Sequence, residues 1–72
     1  MSTYFTLSEA KLKLNRRVKA TFPLADIPTG DTGVVTSYYK MGHLFGLNIK
    51  WDHMNIIDGF SKDDYEMLLE EV

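Results

Sequence analysis

His43 and His53 are the only histidines of this chain, and Asp52 stands beside the second. A metal site is the first chemistry these residues suggest. Adjacent residues on an extended chain point in opposite directions, however, and no third ligand stands at a helpful spacing, so no metal ligand set is assigned. Cysteine, the usual thiolate ligand and the strongest neutral-pH nucleophile, does not occur. Serines and threonines are present, but not in a pattern that would orient a Ser/His/Asp set. Asp63, Asp64, Glu66, Glu70 and Glu71 could supply paired carboxylates for acid–base work. At these spacings they read as the solvated side of a C-terminal helix, with Asp63 and Asp64 favoured by the dipole of its first turn. Gly30, Gly33, Gly42, Gly46 and Gly59 are scattered and lack the Gly-Lys-Ser/Thr ending of a phosphate loop; turns and bulges account for them. The expectation is a binding protein, not an enzyme, with no cofactor and no metal.

Two partner classes remain, and charge weighs on the choice. Residues 1–24 carry Lys11, Lys13, Arg16, Arg17 and Lys19 against Glu9, five bases to one acid. Residues 51–72 carry seven acids, from Asp52 to Glu71, against Lys62. The five bases could meet phosphates while Tyr38, Tyr39 or Phe45 stacked on nucleobases. The overall charge of −2 and pI near 5.5 oppose that reading, because domains that bind nucleic acid unaided usually carry a clear positive excess. The two ends are expected to lie side by side and neutralise each other.

Protein binding fits better. Met41, Leu44 and Phe45 fall in a short connection with Gly42 and His43, where polar residues are the rule. They either plug one end of the core or form an exposed apolar patch. Aromatic residues and methionine are the types interface cores use. The candidate protein-binding residues are therefore Tyr39, Met41, His43, Leu44 and Phe45, with Asp52 from a neighbouring loop. The alternative nucleic-acid set is Lys11, Lys13, Arg16, Arg17 and Lys19.

The elements that must position these residues are short. A 72-residue chain makes one domain and buries only about 60% of the surface its unfolded form exposes, so most apolar residues are needed inside. Ser8 is placed as the cap of a helix over Glu9–Leu14, with Asn15 as its stop. Leu7, Ala10 and Leu14 share a face of that segment, expected to pack on the rest, while Leu12 is displaced from it. Arg17–Thr21 alternates as a strand. Residues 22–31, with two prolines and a glycine, form a long structured loop. Thr32–Tyr39 is dense in β-branched and aromatic residues. Residues 40–46 connect it to Leu47–Trp51, whose Leu47, Ile49 and Trp51 face inward. The core is expected around Val18, Val34, Ile49 and Trp51. Ile56 and Ile57 begin another short strand. Ser61-Lys62-Asp63-Asp64 fits a capping box that starts a helical turn, followed by either a final strand or a longer helix. No disulfide framework, signal-like start or membrane span is present, which places the chain in the cytoplasm.

Several short antiparallel strands in so small a chain are best arranged as a partly closed barrel, which hides their edges. Arg17-Val18-Lys19-Ala20, then Ile27 to Val35 with its proline and two glycines, Gly46 to Asp52, and Gly59 to Tyr65 together resemble the Src-homology-3-like barrels. The likeness is to their small prokaryotic and plastid versions, including the stromal photosystem accessory subunit, KOW modules and Tudor-like domains. It covers residues 16–72 and leaves residues 1–15 as an N-terminal helical extension. It implies a mainly β, five-stranded barrel with a short N-terminal helix and a helical turn before the last strand. The aromatic and acidic signature that grips proline-rich peptides is missing, so that ligand is not implied, and fold likeness does not by itself assign a function.

Overall fold

The computed structural model describes residues 3–24 and 26–72. Met1, Ser2 and, within the expected proline-containing loop, Ala25 lie outside the described residues. The elements are α1 (Leu7–Lys13), β1 (Arg17–Ala20), β2 (Thr32–Met41), β3 (Leu44–Trp51), β4 (Ile57–Phe60), α2 (Lys62–Leu68) and β5 (Leu69–Glu71). The strands form one antiparallel sheet in the order β4-β3-β2-β1-β5. Among the described residues no ladder joins β4 to β5, so the sheet is open. The protein is thus mainly β, with two short helices.

β2 is the central strand, and β3 beside it carries the main inward row. The alternation of β3 places Leu47, Ile49 and Trp51 inside, with Trp51 only 1% exposed. Trp51 pairs with Gly33 across the β2 ladder and Ile49 pairs with Val35. A Cβ on Gly33 would come within 3.0 Å of both the indole and Ile49. That close approach fixes the register: Gly33 and Val35 face the core, and Val34 must point away. Val34, expected inside, is half-buried on the outer face opposite Lys50, and Val35 takes its place. The register then shifts by one residue between Val35 and Ser37, a bulge that bends β2.

The expected loop over residues 40–46 is instead the end of a long hairpin. Met41 pairs with Leu44, leaving Gly42 and His43 as a two-residue turn. Gly42 has φ +63°, and a glycine at the first central position is the requirement of a type II′ turn.

The N-terminal segment is built into the core. Phe5 exchanges both backbone hydrogen bonds with Phe45 at 2.8 Å, and its ring is buried edge-on against Tyr65 at 5.7 Å. α1 begins two residues earlier than expected. Thr6, not Ser8, is its cap: the Glu9 amide donates to the Thr6 hydroxyl and the Thr6 amide to the Glu9 carboxylate. Thr6-x-x-Glu9 is itself a capping-box spacing, which outweighs a lone serine. Ala10 is fully buried and Leu14 packs on the core, whereas Leu7 and Leu12 are exposed. Asn15, at φ +67°, ends the helix as expected.

Ser61 caps α2 by accepting from the Asp64 amide, but the reciprocal half of the expected box is absent among the described residues. Asp63 instead accepts the Ser61 hydroxyl at 2.8 Å and the Thr3 amide at 2.9 Å, tying the N-terminal segment to α2. Both endings envisaged for the chain are partly present. α2 runs to Leu68, and β5 then pairs with β1.

Candidate functional site

The register sorts the residues of the β2–β3 hairpin onto two faces, because paired residues share a side of the sheet. Tyr38 and Phe45 turn inward and meet edge-on at 5.4 Å. Ser37, Tyr39, Met41, Leu44, Gly46 and Asn48 turn outward. No charged side chain stands in this outward row. Met41 is 45% exposed and Leu44 38%. Tyr39 is half-buried because its ring lies over Gly46, and burial, with Tyr4 and Asp64 nearby, pushes its phenol up.

Of the protein-binding residues read from the sequence, the structure therefore gathers Tyr39, Met41 and Leu44 on one face. His43 is exposed in the turn beside them. Phe45 faces the interior. Asp52 stands at the far end of β3, seven residues from Phe45 and roughly 20 Å away along an extended strand. Its carboxylate accepts from Thr32 Oγ1 at 2.5 Å and from Arg17, and its amide donates to the Thr32 carbonyl. These partners hold it below the usual carboxylate range and bind the ends of β1, β2 and β3 together. Tyr4 was not singled out in the sequence. Phe5 faces the core, so strand alternation turns Tyr4 to the outer side, next to the patch.

The basic residues are largely committed elsewhere. Lys13 donates to Glu71 at 2.5 Å and lies over the Tyr65 ring. Arg17 pairs with Asp52, and Lys19 stands opposite Glu70 in the β1–β5 ladder. Lys62 donates to Glu9 at 3.0 Å. The basic and acidic ends of the chain do lie side by side. Of Lys11, Lys13, Arg16, Arg17 and Lys19, Lys11 and Arg16 keep neither an ion-pair nor an opposed acidic partner among the described residues.

Among the described residues, two shallow grooves mark the surface. One, of about 260 Å³ beside α1 and α2, is lined by Phe5 and Leu12 with Glu9, Lys13, Arg16, Lys62 and Glu66, three bases to two acids. The other, of about 230 Å³, lies between the β1–β2 loop and β4. Among the described residues no three His, Asp or Glu side chains converge as metal ligands, and no helix is long and apolar enough to cross a membrane. No family model, curated protein or solved structure matches this chain.

Proposed function

We propose that this chain is a Src-homology-3-like barrel acting in the cytoplasm as a non-catalytic module, which binds a protein partner through the outer face of its β2–β3 hairpin. One observation carries the reading. Tyr39, Met41 and Leu44 stand together in a row of outward residues that lacks any charge. Aromatic and methionine side chains without charges are the composition of an interface centre. The barrel part of the reading is supported by the long loop between β1 and β2, the bulge in β2 and the helical turn directly before β5.

The test is affinity capture from host extract with the wild-type chain and a Met41→Ser/Leu44→Ser variant as matched baits, followed by titration of the captured protein at low and high salt. Both positions are exposed, so the variant keeps the core. The reading expects a partner held by the wild type, lost by the variant and little affected by salt. An identical partner set for both baits overturns the hairpin assignment. Capture of nucleic acid whose binding falls steeply with salt would replace it with the phosphate-contact alternative.

A further inference from the structure

β4 ends the sheet, and its outer edge has a definite hydrogen-bonding pattern. The Trp51 amide donates to the Ile56 carbonyl. By antiparallel alternation the backbone groups of Ile56, Asp58 and Phe60 are then turned toward β3, and those of Ile57 and Gly59 point outward. Among the described residues none of these outward groups has a partner. Ile57–Phe60 holds no lysine, proline or bulge; its protection is its four-residue length and the inward-turned charge of Asp58, and Ile57 is 61% exposed.

The second groove lies along this edge. Leu24, Ile56 and Phe60 give it an apolar lining, Asp26 and Asp58 bring two carboxylates, and Gly59 completes it. No basic side chain lines it. Asp58 uses one oxygen to accept the buried Trp51 indole N–H at 2.8 Å. Asp26 is exposed and makes no side-chain hydrogen bond among the described residues.

We infer that the β4 edge and this groove bind an extended, lysine- or arginine-bearing peptide segment of a partner protein as an added strand. The peptide backbone pairs with Ile57 and Gly59. An apolar side chain enters between Leu24, Ile56 and Phe60, and a cation two residues away, on the same face of the peptide, reaches Asp26 and the free oxygen of Asp58. Charge selects this occupant over a second copy of the chain. Edge-to-edge pairing of two β4 strands would bring Asp26 and Asp58 against the same carboxylates, and like charges across an interface are repelled. The site adjoins the hairpin face, where the Tyr39 ring reaches Gly59, but it uses different groups: the outward backbone of β4 and the groove lining, not the side chains of Tyr39, Met41 and Leu44.

The experiment titrates the 72-residue ¹⁵N-labelled chain with the probe peptide acetyl-Lys-Thr-Leu-Thr-Lys-amide, which carries its leucine and both lysines on one face. The expected result is saturable shifts at the Ile57 and Gly59 amides and at the Trp51 indole N–H, which reports on Asp58. Methylating alternate backbone nitrogens of the peptide, replacing its lysines with glutamate, or introducing Asp26→Lys each weakens binding about tenfold or more. Absence of saturable shifts up to about 1 mM peptide overturns the inference. So do shifts indifferent to N-methylation, shifts centred on the hairpin tip, and sedimentation showing that the chain dimerises through this edge.

Discussion

The ring of Tyr39 occupies the place a side chain on Gly46 would take: a Cβ built there falls 2.2 Å from the Tyr39 Cζ. The two residues are directly paired across β2 and β3, and the same ring approaches Gly59 of β4. One aromatic residue thus covers two glycines on the outer face of three strands. Gly46→Ala forces the ring off, and the unfolding free energy is expected to fall by about 1–3 kcal/mol. Adding Tyr39→Ala to Gly46→Ala should cost less than the two single changes summed, with a coupling on the order of 1 kcal/mol. Urea unfolding of the four members of the cycle measures it. Strict additivity would show that the ring is not seated on Gly46.

The buried indole makes a second pair. Trp51 is buried, and its N–H donates to Asp58 at 2.8 Å. Asp58→Ala leaves that donor unsatisfied, which costs about 1–3 kcal/mol. Asp58→Asn keeps an acceptor oxygen and is expected to cost distinctly less. Denaturation followed by Trp51 fluorescence ranks the two. Equal losses would mean that the carboxylate, not the hydrogen bond, is what stabilises this edge.

Which parts of this molecule could be read in the sequence follows from how local their causes are. Strict alternation exposed the inward row Leu47, Ile49 and Trp51, and the pair of prolines with Gly30 exposed the loop over residues 22–31. The start of α1 was also legible, since Thr6 and Glu9 stand at capping-box spacing, although Ser8 competes with them on residue type alone. Val34 and Val35 could not be told apart locally. Both suit a strand, and only the fit of Gly33 against the Trp51 ring decides which one turns inward. The hairpin face has the same history. Tyr39, Met41 and Leu44 were recognisable by type, but separating them from Phe45 requires the two-residue turn at Gly42 and the pairing it sets. Asp58 and Asp26 carry no signal in one dimension, because the groove they share joins a loop to a strand over 30 residues away.

Phe5 tests whether the N-terminal segment belongs to the folding unit. Its side chain is 2% exposed, packs on Tyr65 and pairs through its backbone with Phe45. Phe5→Ala should cost about 3–5 kcal/mol. Against a total stability of about 5 kcal/mol for a domain of this size, that leaves a largely unfolded population. Phe5→Leu, which retains most of the volume, should remain folded. Circular dichroism melts distinguish the cases, and a Phe5→Ala melt matching the wild type would make residues 3–15 an appendage to an independent sheet.

Glu71 joins both ends of the chain and should shape the pH dependence of stability. It accepts from Lys13 at 2.5 Å and from the Tyr65 hydroxyl at 2.8 Å, and these partners hold its carboxyl below the usual range. A carboxyl lowered in the folded state binds its proton less readily there than in the unfolded chain. Its contribution is present above about pH 4 and is lost as pH falls through the lowered folded value. Tyr65 behaves in the opposite sense. Burial, with Glu71 beside it, pushes its phenol well above the usual tyrosine range. The unfolded chain ionises from about pH 10 while the folded one resists, so this contribution is complete below that pH and disappears above it. Thermal melts across the pH range should therefore show Glu71→Gln with a flatter acid limb, because glutamine does not titrate. Glu9, Asp52 and Asp63 are also lowered and leave it a residual slope. Tyr65→Phe should flatten the alkaline limb and keep most of the acid one, since Lys13 still holds Glu71. An acid limb unchanged by Glu71→Gln would transfer that dependence to the three remaining carboxylates, and an alkaline limb unchanged by Tyr65→Phe would separate the phenol from the stability of the fold.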